Sequence, residues 1–193
     1  VWSLTGRRNQ LVNHFRALDH VSFTVEQGDS IGLIGFNGSG KSTMLKLISG
    51  VITPDEGSVG YRGRMAGLIE VGAGFHPDLT GRENVFLNGA ILGMSKEQIE
   101  AAFDDIVVFS EIEKFIDTEV KFYSSGMFLR LAFAVAVHTS PDIFLVDEIL
   151  AVGDEPFQRK CLDRIHEMQA QGTSLVIVRT ALDPGSYQHL RAH

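Results

Sequence analysis

Residues 30–50 read SIGLIGFNGSGKSTMLKLISG, and the order of features inside this stretch decides the fold. Ser30–Gly35 is short, apolar and preceded by turn residues, which predicts a buried strand. Met44, Leu45, Leu47 and Ile48 recur at helical spacing, and Gly50 marks the helix end. Between them, GFNGSGKS fits the pattern G-x-x-x-x-G-K-[ST] in the context it requires, strand before and helix after. Gly35, Gly38 and Gly40, with Asn37 and Ser39 between them, let the backbone curl so that its N–H groups converge on phosphate oxygens. Lys41 can reach β- and γ-phosphates, Ser42 can offer its hydroxyl to Mg²⁺, and Thr43 continues the first helical turn. The positive end of the helix adds to the attraction for anions. The competing account, a glycine-rich turn with an unrelated lysine, leaves the match at every fixed position to chance.

Outward from this stretch, residues 20–29 (HVSFTVEQGD) alternate apolar and polar and predict a strand, and TPDEG (53–57) is a turn. Residues 58–74 (SVGYRGRMAGLIEVGAG) predict two more strands. Thr80 with Glu83, and Ser95 with Gln98, have the spacing of a capping box ahead of apolar-periodic runs, so two helices begin there. MFLRLAFAVAVHT (127–139) is apolar on nearly every side, the mark of a buried helix, and Ser140-Pro141 stops it. DIFLVDE (142–148) is a continuous apolar strand ending in two acids, as expected where both sheet faces are covered. Residues 157–172 form an amphipathic helix, and Thr173–Val178 a last strand that delivers Arg179 and Thr180. Strands alternating with helices around a helical insertion predict an α/β fold.

Composition limits the function classes. The 193 residues suffice for one domain with a real core. The net charge of −7 argues against general affinity for nucleic acid, which needs clustered Lys and Arg. A single cysteine, Cys161, excludes an internal disulfide and fits a reducing compartment as a small apolar helix residue. No apolar run spans a bilayer. The start, VWSLTGRRNQ, has neither an initiator Met nor the apolar core of a secretory signal, which suggests a fragment of a cytosolic chain or one held at a membrane by a partner.

Two further segments carry chemistry. Asp147 follows four apolar residues, as a carboxylate that orients Mg²⁺ beside a phosphate-binding loop does, and Glu148 could polarise an attacking water. YSSGM (123–127) opens the buried helix. Ser124 or Ser125 can be an ordinary N-cap, while hydroxyls, exposed N–H groups and a helix N-terminus also make a good anion ligand. Asp154 lies a few residues beyond the acids, in the turn AVGDEP.

Taken together, these motifs resemble the nucleotide-binding domain of ATP-binding cassette (ABC) transporters. GFNGSGKS resembles Walker A, IFLVDE resembles Walker B with catalytic Glu148, YSSGM resembles the signature motif, and AVGD, ending at Asp154, corresponds to the D-loop. The motifs stand in family order, and the resemblance covers about residues 10–178. It implies a P-loop NTPase (RecA-like) core with an N-terminal antiparallel β subdomain and an α-helical insertion at about 78–140, all in one domain. It also implies ATP and Mg²⁺ as cofactors, with Ser42 and Asp147 at the metal, and two copies paired head to tail. Ser124, Ser125 and Gly126 would then contact nucleotide held by the partner's Walker motifs, and Phe15 would stack on the base unless it is simply core.

The subtype implied by YSSGM and GAGFHPDLTGRENVFLNGAILGMS is the ATPase subunit of bacterial polysaccharide exporters for O-antigen, capsule or teichoic acid. Such a subunit sits on the cytoplasmic face of the inner membrane as a peripheral protein. Its helical insertion would dock the cytoplasmic loops of a separate permease. Glu70 is the nearest polar residue to the family's Q-loop position and a candidate at the metal, with a strand end and turn as the alternative. The family's final strand presents a His to the γ-phosphate, and Thr180 takes that place here. The chain after about residue 178 therefore reads as truncated or divergent, and hydrolysis is expected to be slow or absent while ATP binding survives. A hydrolysis-impaired binding partner competes with the motor. A soluble cassette ATPase of translation or repair would need a second cassette or coiled-coil arms.

Overall fold

The computed structural model describes residues 15–67, 72, 74–146 and 154–180. Its centre is a parallel sheet of four strands, β1 (Ser30–Gly35), β2 (Met65–Gly67), β3 (Ile143–Val146) and β4 (Ser174–Thr180), in the order β1-β4-β3-β2. Because side chains alternate across a strand, β3 and β4 send successive residues to opposite faces. Phe144, Val146 and Leu175 face one side, against Phe133, Ala136 and Val137 of α4 (Ser125–Val137) and Phe157, Cys161, Ile165 and Met168 of α5 (Glu155–Ala170). Leu145, Val176 and Val178 face the other side, against Leu45 of α1 (Lys41–Ile48). Covering both faces explains why these strands are apolar without interruption.

A second core lies between α2 (Gly81–Ile91), α3 (Lys96–Ser110) and α4, built on Val85, Ile99, Ile106, Leu131, Ala134 and Val135. Helix α4 thus belongs to both cores, which accounts for its apolar character all round. Both capping boxes form as the sequence predicts. Thr80 Oγ1 accepts from Glu83 N at 3.2 Å while Glu83 Oε2 accepts from Thr80 N at 2.8 Å, and Ser95 and Gln98 repeat the exchange. Asn84 is fully buried at the base of α2, donating to the carbonyls of His76, Leu79 and Thr80 and accepting from His76 N.

Three sequence-based expectations are corrected. Residues 20–29 carry no strand, and of 58–74 only Met65–Gly67 is one among the described residues, so those two strand expectations are not met there. Alternation supplies a strand-like face, but a strand exists only when a second one hydrogen-bonds to it, and every strand pair described is parallel. Second, β4 runs two residues further than predicted, because Arg179 and Thr180 stay in register with Ile34 and Gly35. Third, α5 starts at Glu155 rather than 157, with Asp154 as its N-cap and Pro156 in the first turn, where the missing N–H costs nothing.

Candidate active site

The loop between β1 and α1 takes its shape from two left-handed glycines, Gly38 at φ 81° and Gly40 at φ 90°. Gly40 is also a point of close approach: a Cβ there would lie 2.7 Å from the Ala17 carbonyl oxygen and 2.9 Å from Leu18 Cδ2. As the N-cap of α1 it offers no side chain to the first helical N–H groups, and the first turn contains no acid. Those N–H groups remain aimed outward for an anion. Lys41 Nζ donates to the carbonyls of Gly35 at 2.8 Å and Phe36 at 2.9 Å, closing the loop on itself. Ser39 N donates to the same Phe36 carbonyl at 3.2 Å. A donor set with no carboxylate and an exposed Ser42 hydroxyl at the helix start suits a phosphate chain.

The parallel sheet brings other predicted residues to the same edge. Val146 ends β3 opposite Ile177, and β4 continues three residues to Thr180, whose backbone pairs with Gly35. The position expected to hold a catalytic imidazole therefore stands at the mouth of the loop. Asp147 and Glu148 follow Val146 directly in sequence and, like Glu70, lie outside the described residues. Phe15 is 86% exposed. It is two residues from the Ala17–Leu18 segment that meets Gly40, so the structure excludes it from the core and leaves its ring free at that edge.

Ser124 caps α4, its Oγ accepting from Met127 N at 3.2 Å, while Ser125 and Gly126 form the first turn. Tyr123, just ahead, donates from its hydroxyl to the Phe115 carbonyl at 2.8 Å, and burial pushes its pKa up to about 12, keeping it neutral. Gly81 permits this anchor: a Cβ there would run into the Tyr123 hydroxyl. Asp154 accepts from Phe157 N as the α5 cap and pairs with Arg130 of α4 at 2.9 Å. Its carboxylate is thus engaged within the chain.

The order of these parts decides the family, and the comparison agrees: residues 18–151 match the ABC transporter family. The chain belongs to that family. An O-antigen export system ATP-binding protein of Myxococcus xanthus is 49% identical over 92% of this chain and 40% of its own length. A teichoic acids export ATP-binding protein of Levilactobacillus brevis is 45% identical over 90% of this chain and 48% of its own. The chain spans about half the length of these curated relatives. A solved dimeric bacterial ABC transporter cassette superposes with a TM-score of 0.69 at 25% identity, covering 84% of this chain and 79% of that one. The P-loop NTPase fold expected from sequence is therefore confirmed.

Sequence reasoning missed several parts of this cassette. Arg130 and Glu111 carried no local signal, because their meaning lies in one another's proximity. Gly72, at φ 85°, lets the segment after β2 lie against the Phe128 ring on α4, a contact between residues 56 positions apart. Cys161 is the small buried helix residue expected: it is 2% exposed, and burial pushes its thiol up to about 12.

Proposed function

We propose that this ABC cassette binds and hydrolyses ATP to drive export of a bacterial polysaccharide through a separate membrane permease. The observation that carries the reading is the uncapped start of α1 behind the Gly38–Gly40 loop, with Lys41 poised at its rim. The backbone N–H groups of residues 35–43 and Lys41 would hold the phosphates, and the exposed Phe15 would stack on the base. Mg²⁺, held by Ser42 and Asp147, with Glu70 a further candidate, would neutralise charge building on the transferred phosphate. Glu148 serves as the general base that orients and deprotonates the attacking water.

Polysaccharide as the cargo rests on the two exporter relatives, and pairing of two copies on the dimeric cassette. In that pairing, Ser124, Ser125 and Gly126 face ATP held by the partner copy. Docking to a permease, on the cytoplasmic face of the inner membrane, is supported by the helical insertion. Helix α2 turns Leu87 and Ile91 to solvent, apolar side chains that a docking helix could cover. No helix among the described residues is long and apolar enough to cross a membrane itself.

The test is ATP turnover by the purified chain, by Glu148→Gln and by Thr180→His. Glu148→Gln is expected to bind ATP and turn it over at least about a hundredfold more slowly, the cost typical of losing one transition-state group. Thr180→His is expected to raise turnover by a similar factor, because it restores the imidazole that the family's final strand carries at this position. Turnover indifferent to Glu148→Gln would overturn the reading.

A further inference from the structure

Tyr123 stands one residue ahead of the cap of α4 and does two things at once. Its ring packs, with Met127, against the core shared by α2, α3 and α4, a task that Phe would perform as well. Its hydroxyl reaches back eight residues and donates to the Phe115 carbonyl at 2.8 Å. Burial and the neighbouring Asp117 carboxylate keep that hydroxyl protonated. The anchor it grips is firm. Thr118 N donates to the same carbonyl at 2.9 Å, and the backbone that follows is stitched to the start of α2. Arg82 N donates to the Ile116 carbonyl at 2.8 Å, Gly81 N to Thr118 at 3.1 Å and Val120 N to Leu79 at 2.9 Å. The Arg82 side chain also holds Asp117 at 2.7 Å.

Gly81 shows that the hydroxyl, and not the ring alone, has a place made for it. It opens α2 with a helical backbone and is not among the glycines of positive φ, so its conformation asks for no glycine. Space asks for one. A Cβ there would collide with the Tyr123 hydroxyl and stand 3.0 Å from the Ile116 carbonyl oxygen. The phenol and the missing side chain are two halves of one fit, and what the fit secures is the entry to α4. Ser124 and Ser125 are exposed, and the Ser124 hydroxyl already accepts from Met127 N. The direction in which this first turn faces is therefore set by the angle at which the chain enters the helix, which the residue before the cap governs.

We propose that Tyr123 is a positioning residue for ATP hydrolysis: its hydroxyl, tied to the Phe115 carbonyl in the space left by Gly81, sets the direction in which Ser124–Gly126 meet ATP held by a partner copy. The proposal rests on the ATPase reading and the pairing of copies above. The influence of Tyr123 then falls on the partner's nucleotide and not on the one in its own chain's phosphate loop.

The test begins with Tyr123→Phe, Gly81→Ala and the two combined in the full chain, read by the dissociation constant for a fluorescent ATP analogue, kcat for ATP and the unfolding midpoint. Tyr123→Phe keeps the ring and leaves the Phe115 carbonyl its Thr118 donor, so the midpoint should move little. Its kcat should fall about 10–100-fold, the scale of a misplaced catalytic group, with analogue binding within about threefold of the parent. Gly81→Ala should lower kcat comparably by displacing the hydroxyl, and should also lower the midpoint. Combining the two should recover part of that midpoint, because removing the oxygen makes room for the methyl, and kcat should be no lower than in either single variant.

The deciding measurement separates the two chains of a pair. Lys41→Ala lacks a working phosphate loop and Ser125→Glu a working signature, so their mixture has one composite site, made of the loop of the Ser125→Glu chain and the first turn of α4 in the Lys41→Ala chain. Tyr123→Phe added to the Lys41→Ala chain should lower turnover by the same 10–100-fold or so, and added to the Ser125→Glu chain should leave it within about twofold. A change that merely loosens the fold would act in both places. Where turnover is too slow to follow, ATP-driven pairing of the same mixtures in a Glu148→Gln background replaces it, with the same asymmetry expected. Should Gly81→Ala fail to fold, the mixtures still decide. Equal losses from the two placements, or none from either, would overturn the positioning role and leave the ATPase reading intact. A mixture of Lys41→Ala and Ser125→Glu that neither pairs with ATP nor turns it over would overturn the pairing and this role together, and a parent chain that binds no ATP analogue would overturn the ATPase reading as well.

Discussion

At the scale of single residues, Gly40 shows how tightly the candidate site is specified. It needs a positive φ, and it has the Ala17 carbonyl 2.7 Å from where a Cβ would be. Left-handed strain alone costs about 1–2 kcal/mol, and a backbone oxygen cannot swing aside as a side chain can. Gly40→Ala is therefore expected to lower stability by about 1–3 kcal/mol in denaturant unfolding. It should also weaken nucleotide binding by roughly tenfold or more, about 1.4 kcal/mol, because the loop must open to relieve the contact. Gly38 is the control: its φ is 81°, but nothing lies within 4 Å of its Cβ position, and Asn tolerates that region. Gly38→Asn should fold with a loss well under that of Gly40→Ala. The sequence pattern named both glycines. Only the fold shows that one of them is also pressed against residues 17–18.

At the scale of elements, the sequence was clear wherever structure is local. Both capping boxes, the Ser140-Pro141 stop and the period-3.6 patterns are read within a few residues, and each appears close to where expected. Residues 20–29 failed because a strand needs a partner and alternation cannot supply one. The C-terminal end of α4 gives a pH prediction. His138 Nδ1 lies 2.7 Å from the Ala134 carbonyl, which can only accept, so the ring donates to the helix end. Its pKa is lowered from the ordinary 6.5, first by burial and then by the nearby Arg164 and Lys160, against the raising influence of that hydrogen bond and of Asp105. Below pH 6.5 the unfolded chain takes up a proton that the folded chain refuses, so stability rises with pH across the window just under 6.5. The unfolding midpoint should fall as pH is lowered from 7 to about 5.5, at no more than about 1.4 kcal/mol per pH unit. His138→Gln, neutral throughout and still a donor, should flatten that slope relative to the parent. An equal slope in both proteins would show that other groups produce it.

At the scale of the whole molecule, one copy of the chain holds the parts of half of each proposed catalytic site. Head-to-tail pairing then makes a prediction that chemistry within one chain cannot. Lys41→Ala disables the phosphate loop and leaves the signature; Ser125→Glu places a charge against the partner's phosphates and leaves the loop. Each variant alone should be inactive. Mixed in equal amounts, half of the pairs are mixed and each contains one intact composite site, so about a quarter of the parent turnover should return. An inactive mixture that nevertheless dimerises with ATP would rule the composite site out.

The sequence by itself determined the glycine-rich turn between β1 and α1, the capping-box helix starts, the apolar strands of a doubly covered sheet and the family. All of these are encoded in short-range order: a fixed spacing of glycines, a cap three residues from its partner, a period along one element. Only the tertiary structure decided which strands exist, that Thr180 stays in register with Gly35, that Asn84 is buried among four backbone partners, and that Arg130 bridges Glu111 to Asp154. Each of these depends on contacts that packing creates. Arg130 reaches carboxylates 19 and 24 positions away, and no local pattern distinguishes it from any other arginine on a helix until α3, α4 and α5 are brought together.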